Sequence, residues 1–179
     1  MKRQLLSTER IVLRAPEPED LEVMYRMENL PEMWAVSNAT VPYSRYVLRR
    51  YIENCRNDIY ADRELRLMIQ TVEEHRVVGT VDLVEFTPLH GRAEAGIAIL
   101  EEYRRKGYAR EALELMCHYA FRQLGLNQLY AYVAVDNEAS LALFESCGFT
   151  RKVELRDWLC YERAYKNVYL LQCFAISYV

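Results

Sequence analysis

The sequence predicts an α/β protein: a mixed, mostly antiparallel central sheet of about six or seven strands with one parallel pair, flanked by about four helices. Three observations predict it. Between Arg63 and Leu100, three strand-like segments follow one another through short turns, as in an antiparallel meander. A strand, a helix and another strand then succeed each other from 92 to 135, which calls for a right-handed parallel crossover. The intervening helix has apolar residues at 109, 112, 113, 116, 120 and 124, with Arg110, Glu111, Glu114, His118 and Arg122 between them, a 3.6-residue period with one wet face.

The elements follow in order. Residues 8–14 read as a first strand. Pro16 and Pro18 stop it and can open a helix running to about Asn29, with Glu17, Glu19 and Asp20 where the helix dipole favours acids. Pro31 ends that helix. Residues 30–43 form a long connection holding Trp34, which either contacts a ligand or anchors the loop on the core. Ser44 caps a second helix to about Asp58, with Val47, Leu48, Tyr51, Ile52 and Cys55 on one face. Leu65, Leu67 and Ile69 then alternate with polar or flexible residues. Val77 to Phe86 is the next strand, with Gly79 a bulge or close-approach point. After the long helix, Gly125 acts as a C-cap, 128–135 is a strand, Asp136 or Asn137 caps a helix over 138–146, and Gly148 ends it. Residues 149–158 and 167–175 read as a closing hairpin, with a polar segment over 159–166.

The chain has 179 residues, and its 51% apolar content supplies a full core, so residues 1–179 are expected to form one domain. Its 23 basic and 26 acidic side chains give a net charge of −3, which argues against a general nucleic-acid binder. No apolar run approaches the ~20 residues that span a bilayer. The first residues lack a signal-peptide core, and five scattered cysteines without a Cys-x-x-Cys pair fit reduced thiols, so a cytoplasmic location is expected. His75, His90 and His118 have no metal-ligand spacing.

Chemistry concentrates in the stretch from Gly91 to Leu124. A strand apolar on both faces leads into the turn Arg104-Arg105-Lys106-Gly107-Tyr108-Ala109, and then the long helix. Small and basic residues at a helix N-terminus expose backbone N–H groups and form an anion site suited to phosphate. The basic side chains either add charge there or form an ordinary solvated face.

Arg104-x-x-Gly107-x-Ala109 matches the (Gln/Arg)-x-x-Gly-x-(Gly/Ala) signature of the GCN5-related N-acetyltransferases. Val133, Asn137, Ser140, Phe144 and Gly148-Phe149 resemble that family's second motif, an asparagine-led helix ending in Gly-Phe. The resemblance covers nearly the whole chain. His90 to Glu94 and the C-terminal hairpin look most like the spermidine acetyltransferases, and the ribosomal-protein alanine acetyltransferases share the layout. The resemblance implies the acyl-CoA N-acyltransferase fold, in which the parallel strands splay. It also implies acetyl-coenzyme A as donor. The pyrophosphate would lie on the amides of about 105–110, with Arg104, Arg105, Lys106, Gly107, Tyr108, Ala109 and Arg110 around it. The pantetheine arm would pair with Ile97, Ala98 and Ile99, and Asn137, Ser140 and Phe144 would lie near the coenzyme.

The implied reaction is direct attack of an amine on the thioester. The amine is mostly protonated at pH 7 and must lose a proton, the oxyanion must be stabilised, and the thiolate must leave. Glu94 is the first candidate base and Glu85 the second, and either could instead hold a cationic acceptor. Many family members carry a tyrosine, the usual acid for the thiolate, where this chain has Phe144; Ser140, Tyr108 or water would have to substitute. Three readings follow: an acetyltransferase acting on a small amine such as a polyamine, one acting on a peptide N-terminus, or a coenzyme-binding regulator with little catalysis. Glu85, Glu94, Glu101 and Glu102 are available for a polyamine. The apolar run 169–176 offers a pairing edge for a homodimer.

Overall fold

The computed structural model describes residues 5–34, 39–56 and 58–178. Among them the chain builds one seven-stranded sheet in the order β1-β2-β3-β4-β5-β7-β6. The strands are β1 Ile11–Arg14, β2 Leu65–Thr71, β3 Val77–Thr87, β4 Arg92–Ile99, β5 Gln128–Ala134, β6 Thr150–Tyr161 and β7 Ala164–Phe174. The helices are α1 Leu21–Glu28, α2 Pro31–Trp34, α3 Arg45–Asn54, α4 Ile59–Asp62, α5 Tyr108–Arg122 and α6 Glu138–Ser146. Every neighbouring pair is antiparallel except β4–β5. None of the described helices is long and apolar enough to cross a membrane.

The long helix buries Ala112, Leu113, Met116, Cys117, Ala120 and Phe121 against Val81, Leu83, Ala93, Ala95, Leu129, Ala131 and Val133. Those strand residues share one face by register and by the two-residue alternation of strands. Helices α1 and α3 cover the other face over β2 and part of β3, where Met24, Leu48 and Met68 form a smaller cluster with Val77 packed against it. The rest of that face, over β4 and β5, carries Glu94, Gly96, Ala98, Tyr130 and Tyr132, none of them fully buried.

Several expected boundaries move for local reasons. The first strand starts at Ile11, not at 8, because the Thr8 hydroxyl accepts from the Arg10 and Ile11 amides and turns the chain. The first helix is preceded by a 3₁₀ turn, Pro18–Asp20, in which buried Asp20 accepts from the Glu17 amide and pairs with Arg14. The second helix stops at Asn54, because Cys55 is extended, and a separate turn, α4, follows. Its Ser44 cap is present, accepting from the Val47 amide at 3.1 Å, but Val47 itself is exposed. Six helices are described rather than about four, the additional two being single turns.

The closing hairpin is longer than expected. The strands continue through 159–166 and meet at a two-residue turn, Glu162-Arg163, with both residues at positive φ. Strand β7 lies between β5 and β6, so the 169–174 part of the apolar run is inside the sheet and offers no free edge to a second copy.

Candidate active site

Strand β4 has two different edges. Along β3 it is paired over its length, from Arg92 to Ile99. Along β5 it is paired only at Arg92, Ala93 and Glu94, opposite Gln128, Leu129 and Tyr130. Beyond that point the strands separate, because β5 stays paired with β7 from Gln128 to Ala134 while β4 stays paired with β3. The Leu100 amide donates to the Val78 carbonyl. Ladder alternation therefore turns the amides of residues 95, 97 and 99 towards the gap, where no strand lies alongside. Gly79 sets how closely β3 holds β4: a Cβ there would lie 2.1 Å from the Ala98 carbonyl oxygen.

The gap leads to the basic turn. Arg105 has φ +60 and Gly107 φ +86, so the chain passes twice through left-handed backbone before α5 begins. Gly107 is exposed at the N-cap, and the nearest atom to a Cβ built there is an Arg10 nitrogen at 3.4 Å. This glycine-led start of a 15-residue helix, next to an unpaired strand edge, fits a phosphate at the turn and an extended arm along the gap. The basic side chains are less free than the sequence suggests. Arg104 donates to the Ile99 carbonyl at 3.0 Å and pairs with Glu32 of α2. Arg110 pairs with Glu114 at 2.8 Å, and the Lys106 ammonium lies over the Tyr103 ring. Ala109 is half-buried.

Glu94 and Tyr130 are the last paired residues before the gap opens. Burial first, and the charge of Glu85 second, raise the Glu94 carboxyl above its ordinary pKa. Glu85 sits at a β-bulge with φ +51 and is exposed. The Tyr130 hydroxyl is pushed up to about 12 by burial and then by Glu94, so it keeps its proton at neutral pH. Its ring meets Tyr132 edge-on at 5.8 Å, and Tyr132 stacks on half-exposed Trp158 of β6 at 5.4 Å. Val84, opposite Glu94, also lines a cavity of about 280 Å³ with Glu28, Tyr43, Glu64, Arg66 and Asp82. There Arg66 pairs with both Asp82 and Glu28.

The remaining candidates scatter. Asn137 caps α6, accepting from the Ser140 amide at 3.1 Å, and Ser140 is half-buried in the first turn. Phe144 is 3% exposed and packs edge-on against Phe149, so its ring belongs to the core. Trp34 donates to the Glu28 carbonyl at 3.2 Å, which anchors the end of α1; residues 35–38 of its loop lie outside the described residues. Glu101 and Glu102 are at the far end of β4, and Glu102 pairs with Arg26. Tyr130, Asp82, Glu28 and Arg10 carry no local signal in the sequence, because only register and tertiary packing bring them to these places.

Residues 10–150 match the acetyltransferase (GNAT) domain family. The chain belongs to that family. A spermidine N(1)-acetyltransferase of Vibrio cholerae is 29% identical over 168 residues, 90% of this chain and 93% of that one. An uncharacterized N-acetyltransferase, p20, of Bacillus licheniformis is 32% identical over 90% of this chain and 89% of its own length. The crystal structure of the Vibrio cholerae spermidine N-acetyltransferase in complex with CoA and spermine superposes with a TM-score of 0.83 at 27% identity, covering 96% of this chain and 99% of that one. The protein is an acetyltransferase.

Proposed function

We propose that this GNAT protein transfers an acetyl group from acetyl-coenzyme A to a primary amine of a small polycationic molecule, such as a polyamine, by direct attack with both reactants bound. The observation that carries this reading is the apex of the gap: Glu94 and Tyr130 pair in register where β4 and β5 part, on the face not covered by α5. The bound coenzyme supplies an activated thioester. The amides of 105–110 hold its pyrophosphate, helped by Arg104, Arg105, Lys106 and Arg110, and the β4 edge holds its arm through Ile97 and Ile99, the backbone of Ala98 between them being turned to β3. Asn137 and Ser140 flank it from α6.

Glu94 takes the proton of the incoming ammonium, and its raised pKa brings it closer to that task. The amide of Ile97 or Ile99, both turned to the gap, donates to the carbonyl oxygen as charge develops. Leu100 is unavailable for this, since its amide is held by Val78. The protonated Tyr130 hydroxyl orients the amine. Phe144 gives no proton, so the leaving thiolate, whose thiol pKa is about 8.5, departs with help from Ser140 or water. Glu85 beside Glu94, and the neighbouring cavity, where Glu28, Glu64 and Asp82 outnumber the Arg66 that pairs with two of them, favour an acceptor with more than one positive charge. The relative bound to CoA and spermine supports the same substrate class.

The test is to incubate the purified protein with acetyl-coenzyme A and a panel of amines, following free thiol. Thiol release with spermidine and not with peptides is expected. Release with peptides alone replaces the polyamine by a chain N-terminus. Coenzyme binding without turnover on any amine leaves a regulatory module.

A further inference from the structure

The basic turn is held from outside by a residue close to the start of the chain. Arg10 lies just before β1, 96 residues from its partner Lys106. Its Nη2 donates to the Lys106 carbonyl at 2.7 Å. Its Nη1 lies 3.6 Å from Glu111 Oε2, and its guanidinium sits over the Tyr108 ring, 4.8 Å from the centroid. One side chain thus touches the last residue of the turn and the first turn of α5, and borders Gly107.

Two consequences follow. In a trans peptide the C=O and the next N–H point in opposite directions. Tying back the Lys106 carbonyl therefore aims the Gly107 N–H away from Arg10, and it does so between two left-handed residues, Arg105 and Gly107, a backbone that needs an outside contact to hold it. The second consequence is electrostatic. Glu111 puts a carboxylate in the first turn of α5, where it would oppose a bound anion, and its Oε2 is buried without a hydrogen-bond partner. Arg10 is the countercharge.

We propose that Arg10 is a positioning residue for the coenzyme pyrophosphate: it fixes the amide of Gly107 towards the phosphates and cancels Glu111. This rests on the donor site proposed above. Arg10 is half-exposed and lies outside the core, so its replacement is expected to leave the fold intact.

The experiment compares wild type, Arg10→Ala and Arg10→Lys in the full chain. It measures calorimetric affinity for coenzyme A and for pantetheine, which lacks the pyrophosphate, and amide exchange at 105–109 in the free protein. Arg10→Ala is expected to weaken coenzyme A roughly ten- to hundredfold, as loss of a charge-assisted hydrogen bond does, with pantetheine unchanged and exchange at 105–109 faster. Arg10→Lys should not restore affinity, because a single ammonium cannot hold the carbonyl and the carboxylate as a planar fork does. Unchanged coenzyme A affinity and exchange in Arg10→Ala, full rescue by Arg10→Lys, or equal weakening of pantetheine each overturns the inference. Failure of wild type to bind coenzyme A overturns the donor site itself, and this inference with it.

Discussion

Replacing Gly107 by valine separates the backbone of the turn from its use. Gly107 has φ +86, and a β-branched side chain there is strained by roughly 1–3 kcal/mol. At roughly 2–4 °C per kcal/mol for a domain of this size, the free variant should melt about 2–12 °C lower. Its Cβ would sit 3.4 Å from Arg10 Nη1, so the new methyl groups crowd the guanidinium and the open side of the turn. Wild type at a hundred times its Kd of coenzyme A should gain about 2.7 kcal/mol, or roughly 5–11 °C at the same conversion. Gly107→Val should lose that gain. Gly125→Val is the control: φ is +67 and nothing lies within 4 Å of its Cβ, so the strain is comparable but the turn is untouched. It should melt lower and keep the full coenzyme shift. Thermal unfolding with and without coenzyme A reads all three proteins. A full coenzyme shift in Gly107→Val would refute the assignment of the turn to the phosphates.

Other outcomes follow from the geometry. Glu94→Gln should lower kcat about 10²–10⁴-fold, the usual contribution of a general base, while leaving the coenzyme-induced shift intact; a loss of that shift would place Glu94 in folding or donor binding instead. Glu94 is raised by burial and by Glu85, so activity should appear only as the pH rises above the ordinary carboxylate range, and Glu85→Gln should move this acid limb to lower pH; kcat/KM against pH checks the sign. The same raised pKa makes ionised Glu94 a cost to the fold above that window, so Glu94→Gln should melt higher than wild type at neutral pH and not in acid. Phe144→Tyr buries a hydroxyl where the ring is 3% exposed, for a cost of about 1–3 kcal/mol and no gain in kcat; a faster enzyme of unchanged melting temperature would show that this ring reaches the thiolate.

The parts legible in the sequence were those fixed by local chemistry. The Asn137 cap and Gly148 delimit α6 at 138–146 as expected, and the small residues around Gly107 mark the turn before α5. The full length of the hairpin is not legible, because β6 is an edge strand whose residues are mostly exposed on both faces, so it shows no alternation. Its turn also uses Glu162-Arg163 rather than the expected glycine or asparagine. The site was half legible for a related reason. Glu94 and Gly107 belong to one continuous stretch. Tyr130 reaches Glu94 only through parallel register, and Arg10 reaches the turn only through packing across the sheet edge.

The two halves of the site follow from a conflict between pairings. Strand β4 is committed to β3, with Gly79 allowing the Ala98 carbonyl to approach where any side chain would forbid it. Strand β5 is committed to β7 over all seven residues. The pair between them keeps only three rungs, and the amides beyond Glu94 are left without a strand. An edge of that kind is costly in an ordinary sheet; under the donor site proposed above, an extended ligand arm would supply the missing hydrogen bonds. Gly79→Ala tests this. Its Cβ would lie 2.1 Å from the Ala98 oxygen and 2.8 Å from Ile99 Cδ1, so β4 must retreat from β3 into the gap. Overpacking of this sort costs about 1–3 kcal/mol. Coenzyme affinity should fall along with melting temperature, although Gly79 itself lies on the strand that faces away from the gap. Lowered stability with unchanged affinity would show that the width of the gap is not what holds the donor.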